Sequence, residues 1–114
     1  MATEGRARPD EKTDTEIEHD LEFVVAEDTG DEAHVIIHND DVTPFDFVMT
    51  VLVAVFRLGP RQAYAVTLRA HVTGSAYVIT LPVEEAKYRV GQAHSAARQM
   101  GYPLSFTIEP VKSS

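Results

Sequence analysis

The chain has 114 residues, no cysteine, and 18 acidic against 10 basic side chains, for a formal net charge of −8. That length holds one domain with its own core, and the missing cysteines exclude disulfides, thiolate metal sites and a cysteine nucleophile. No apolar run approaches the ~20 residues of a membrane span, and the charged N-terminus lacks a signal peptide's apolar centre, so a cytoplasmic protein is expected.

The negative charge is concentrated at the start. Residues 1–32 hold 12 Asp and Glu against Arg6, Arg8 and Lys12, a balance of −9, while residues 33–114 balance at +1. The first 32 residues are also poor in large apolar side chains. They cannot offset the entropy of ordering, and they read as a disordered acidic extension. One short exception, Leu21-Glu22-Phe23-Val24-Val25, could dock on the body or pair with a sheet edge. A charge run of this kind is either simply solvated or an arm gripped by a partner. A near-neutral body argues against nucleic acid, because phosphates need a basic face.

The body opens with the β-branched run His34-Val35-Ile36-Ile37-His38, which predicts a strand. Asn39-Asp40-Asp41-Val42 is then a polar loop of turn-favouring residues. Thr43 is suited to cap a helix whose first residue is Pro44, with Asp46 favoured near its positive end. Phe47, Val48, Val51, Leu52, Val55 and Phe56 continue at helical spacing, and Gly59 is placed to close the helix in the left-handed conformation. Pro60 starts a second helix to about Thr73, with Ala63, Val66, Thr67, Ala70 and His71 as inward candidates. Ser75 to Leu81 predicts a second strand, and Pro82 opens a third helix carrying Ala86, Val90, Ala93 and Ala97 on one face. That helix closes at Gly101, and Leu104 to Ile108 predicts a last strand. The order β-α-α-β-α-β implies an α+β fold, with three helices on one face of a small antiparallel three-stranded sheet.

Two positions stand out chemically. Asn39-Asp40-Asp41 is either a capped turn or a cluster of oxygen acceptors aimed at a cation. His71, beside Val66, Thr67 and Ala70, is either a satisfied core histidine or a ligand-facing one. The histidines show no known metal-ligand spacing, so no metal or other cofactor is expected. A glycine-rich phosphate loop, a nucleophile elbow and HExxH are all missing, and Asp40 and Asp41 are too close in the chain to flank one scissile bond. An enzyme is not expected.

The string Val35-Ile36-Ile37-His38-Asn39-Asp40-Asp41-Val42-Thr43-Pro44-Phe45-Asp46-Phe47-Val48 resembles the start of the ClpS adaptor domain. The likeness continues through Ala63 to His71, Gly74, Lys87 and Gly101-Tyr102-Pro103-Leu104. It implies a ClpS-like domain over residues 33–112 after a disordered extension over 1–32. It also implies an adaptor that delivers substrates with hydrophobic N-terminal residues to a Clp ATPase-protease. In such a domain Asn39, Asp40 and His71 would bind the free α-amino group. Thr43, Phe45, Val48, Thr67, Ala70 and Leu104 would form the hydrophobic pocket. Glu84, Glu85 and Lys87 would dock on the N-terminal domain of a ClpA- or ClpC-type ATPase, and the acidic extension would enter its pore. The partners implied are N-degron peptides and that ATPase, with no membrane and no nucleic acid.

The chemistry suits that assignment. An α-amino group is mostly cationic at neutral pH, and a carboxylate, an amide oxygen and a neutral imidazole nitrogen can accept its three protons. Phe45 and Thr67 stand where the family usually has methionine, and Ala70 where it has valine. The stretch between His71 and Lys87 is shorter than in the family. These departures leave a second reading open: a diverged interaction domain that docks on a partner without reading chain ends.

Overall fold

A computed structural model describes residues 31–111. Of the acidic extension expected over residues 1–32, residues 1–30, including Leu21–Val25, lie outside the described residues, and Glu32 belongs to the first strand. Strands β1 (Glu32–His38), β2 (Ser75–Pro82) and β3 (Ser105–Pro110) alternate with helices α1 (Phe45–Ala54), α2 (Pro60–Thr73) and α3 (Val83–Gln99). Element order and type match the sequence pattern throughout.

The sheet is antiparallel, in the order β2-β1-β3. Period-two alternation sends Ala33, Val35 and Ile37 of the central strand inward and leaves His34, Ile36 and His38 on the other face. A register shift sets Val35 opposite Ile79 but Ile36 opposite Tyr77, so Val78 is an extra residue on β2. Helix faces cover the inner side with Val51 and Leu52 from α1, Ala63 and Ala70 from α2, and Ala86, Val90, Ala93 and Ala97 from α3. The small residues of α2 and α3 let both helices approach the sheet closely. On the uncovered face, His34 and His38 hydrogen-bond to the hydroxyls of Thr80 and Thr107 at 2.7 and 2.9 Å. Among the described residues no group of three His, Cys, Asp or Glu side chains could hold a metal ion. No helix there is long and apolar enough to cross a membrane.

Several boundaries differ from expectation, each for a local reason. β1 begins at Glu32, not His34, because Glu32 pairs with Pro82 and its carbonyl accepts the Val111 N–H at 2.9 Å. Pairing on both sides overrides the local charge. Thr43 does not cap α1. The cap position is Pro44 and no side chain serves it, since Thr43 has turned its hydroxyl to Asp40. Pro82 ends β2 and caps α3 instead of opening that helix.

The largest correction concerns the end of α1. Gly59 is extended, with φ −66° and ψ 158°, and serves as the cap of α2. The left-handed residue is Arg57, with φ 63°. The Leu58 N–H reaches back six residues to the Leu52 carbonyl at 3.1 Å, one residue further than the bond of a Schellman motif, and closes the helix end. An exposed arginine thus occupies a site that glycine fills at lower conformational cost. Arg57→Gly should raise stability by about 0.5–1 kcal/mol, measured as a higher urea midpoint with unchanged slope.

His94, on the rim of the core, accepts the Phe106 N–H at Nε2, 3.0 Å away. That bond requires a neutral ring with the proton on Nδ1. Burial, and then the nearby charge of Arg98, hold the His94 pKa below the ordinary value of 6.5. Below pH 6.5 the unfolded chain therefore takes up a proton that the folded chain resists. The His94 contribution is fully present above that pH and shrinks as the pH falls. The melting temperature should drop between pH 7 and pH 5, and His94→Gln should flatten that part of the slope.

Candidate functional site

The site is assembled at the end of β1. Asp40 organises the loop there: its Oδ1 accepts the N–H groups of Val42 and Thr43 at 2.8 and 2.6 Å. Its Oδ2 accepts the Thr43 hydroxyl at 2.9 Å. Partial burial pushes the Asp40 pKa upward, but these hydrogen bonds outweigh it, with help from the charge of Arg98. The net result is a carboxyl held below its usual range, so Asp40 is an anion at neutral pH.

The loop is tied to α2 through the backbone. Gly74 ends α2 in the left-handed conformation, at φ 100°. Its carbonyl accepts the Asn39 N–H at 2.9 Å. This bond brings Asn39 and Asp40 to the end of the helix that carries His71, three residues before Gly74. His71 is exposed and lies outside the core. Its ring stands edge-on to Phe45, with centroids 6.5 Å apart.

Between loop and helix lies a cavity of about 190 Å³. Asn39, Asp40 and His71 line it, together with Thr43, Phe45, Val48, Thr67, Ala70 and Leu104. All nine residues assigned from the sequence to amine binding or to the pocket therefore meet around one space. Its most buried lining residues are Ile37, Leu104, Ala70, Thr67 and Val48, which form an apolar floor continuous with the core. The buried Thr67 hydroxyl is satisfied by the Ala63 carbonyl at 2.7 Å, so the floor has no orphaned donor there. Polar groups stand at the rim. Sequence reasoning missed Ile37, His38 and Asp41 as lining residues. Strand alternation could have found Ile37, since it shares the inward side with Ala33 and Val35.

The three residues assigned to docking are arranged differently. Glu84 is open to solvent, with 70% of its side chain accessible. Glu85 is held by Arg89 at 2.8 Å, and Arg89 also donates to the Val55 carbonyl, clipping α3 to the end of α1. Lys87 is buried to 8% exposure, with Nζ 3.5 Å from Glu84. Its methylene stem packs along the core while the ammonium emerges beside Glu84. The trio is not one exposed cluster, and Glu84 alone stands clear.

The family model described as "ATP-dependent Clp protease adaptor protein ClpS" matches residues 28–107. The chain belongs to the ClpS family. The ClpS adapter of Nautilia profundicola is 37% identical over 99 residues, covering 87% of this chain and 98% of that relative. ClpS 1 of Bradyrhizobium diazoefficiens is 43% identical over 76 residues, covering 67% and 75%. Among solved structures, Agrobacterium tumefaciens ClpS2 bound to L-phenylalaninamide superposes with a TM-score of 0.69 at 36% identity. It covers 73% of this chain and all of its own. These ClpS relatives are named as adaptors of the Clp protease, not as enzymes.

Proposed function

We propose that this ClpS-family chain captures the first residue of a protein substrate and delivers it to a Clp ATPase-protease. One observation carries the proposal: an apolar cavity rimmed by a carboxylate, an amide and an imidazole. A free α-ammonium at the rim would satisfy those acceptors, while the first side chain fills the floor. An internal peptide bond offers a neutral amide with one proton, and its preceding residues would strike the rim. The site would therefore read chain ends.

Size indicates which first residue it takes. A dry cavity of about 150 Å³ binds benzene. About 190 Å³ is therefore enough for a phenyl ring with its methylene. Phe45, set against His71 and Tyr64, adds an aromatic wall at the mouth. Aromatic first residues are favoured over leucine on this reading. The Agrobacterium relative's ligand has the same elements, a free amine and a benzyl side chain. Delivery would use the Glu84 face of α3 for the N-terminal domain of a ClpA- or ClpC-type ATPase. The acidic N-terminal segment would act as the arm engaged by its pore.

Titration with a Phe-first peptide, free or acetylated, tests the capture step. The free form should bind at least about a hundredfold tighter, the equivalent of roughly two charge-assisted hydrogen bonds. Equal affinities would exclude the reading and leave a domain that docks on partners through another surface.

A further inference from the structure

The exposed apolar side chains are not scattered evenly. Tyr64, Leu68 and Val72 lie on α2 at intervals of four and are 51%, 40% and 72% exposed. That spacing aligns them on one side of the helix as a ridge. A helix rises 1.5 Å per residue, so the ridge is about 12 Å long. None of the three belongs to the buried core.

The ridge starts where the cavity ends. Phe45 lines the cavity, and its ring lies 5.7 Å from that of Tyr64 and 6.5 Å from that of His71. Val72 directly follows His71 in the chain. Apolar surface therefore runs from the cavity floor, across Phe45, onto the outer side of α2. Apolar side chains left open beside a cavity in this way offer a surface along which an occupant of that cavity can extend.

We propose that this ridge receives the second to fourth residues of the captured substrate chain and favours apolar side chains there. The proposal rests on the capture reading of the cavity. A chain held by its first residue must continue from the rim, and the apolar surface beginning there is this ridge. An extended chain advances about 3.3 Å per residue, so 12 Å accommodates between three and four residues. The second to fourth residues fill that length.

Fluorescence anisotropy on the full chain tests it with two labelled peptides, one beginning Phe-Leu-Leu-Leu and one beginning Phe-Ser-Ser-Ser. L-phenylalaninamide, which has no second residue, competes for the cavity alone. The leucine peptide should bind about tenfold tighter than the serine peptide, as partial burial of two or three aliphatic side chains implies. Leu68→Ser with Val72→Ser should bring the leucine peptide to the serine level and leave competition by phenylalaninamide unchanged. Both positions are exposed, and unchanged competition would also show that the variant folds. A double variant that keeps the leucine preference would overturn the proposal, as would a parent chain without one. Self-association lost in the variant with peptide affinity intact would assign the ridge to a second copy and overturn it equally. Failure of phenylalaninamide to compete would remove the capture reading first, and this proposal with it.

Discussion

Asp40→Asn is expected to weaken binding of a free-amine peptide by about tenfold to a hundredfold while lowering the melting temperature much less than Asp40→Ala. The two effects separate because Asp40 has two tasks. Its oxygens anchor the loop through Val42 and Thr43. Asp40 also lines the cavity, where it brings a negative charge. Asparagine keeps an oxygen where Oδ1 accepts both N–H groups, and its amide can donate to the Thr43 hydroxyl. The loop survives, but the charge is gone. Hydrogen bonds to charged groups contribute about 1.5–3 kcal/mol, which sets the expected loss of affinity.

Asp40→Ala removes both tasks. Peptide binding should fall at least as far, and stability should also drop by about 1–2 kcal/mol through the unsatisfied N–H groups. Because the Asp40 pKa is lowered, its contribution to folding is present above the ordinary carboxylate value of 3.8 and is lost as the pH falls below it. Peptide affinity should therefore not be limited by Asp40 at mildly acid pH. On the alkaline side it should decline above about pH 8, as the α-amino group loses its proton. Titration calorimetry across that range, paired with thermal melts, would separate anchoring from charge.

Phe56→Ala is expected to produce the largest loss of stability, about 3–5 kcal/mol. The ring is 1% exposed and sits 5.1 Å from the Phe106 ring, joining the end of α1 to the edge strand β3. Truncation leaves a void that neighbours from two different elements cannot both relax to fill. Small domains are stable by only about 5–15 kcal/mol, so the variant would be marginal at physiological temperature. Urea unfolding checks the value. Phe56 does not line the cavity, so peptide affinity of the folded fraction at low temperature should be unchanged.

The order and type of every element were legible in the sequence because the hydrophobic period changes between segments that prolines and glycines separate, even where the end residues differ. The site was legible for another reason: local sequence left two readings each for Asn39-Asp40-Asp41 and for His71, and the resemblance to the ClpS domain joined them into one site. What escaped was set by tertiary context. Nothing local marks Arg57 as left-handed, since Gly59 two residues later is the better candidate by propensity. Only the bond from Leu58 to Leu52 places the turn at Arg57. Lys87 reads as a surface lysine, and its burial depends on the core beneath α3. Thr43 has the composition of a helix cap, but a carboxylate three residues earlier competes for its hydroxyl. The apolar ridge on α2 is visible as a spacing of four, yet only the fold places it outside the core.

The cavity floor has a consequence for how such a domain can change. Ile37, Val48 and Leu104 belong to the packed interior as well as to the cavity. Altering the preferred ligand through them would tax the same contacts that keep the chain folded. Rim positions such as Phe45 and His71 carry no such double duty. Drift in ligand choice among descendants of this chain should therefore run along the mouth, with the interior left nearly still.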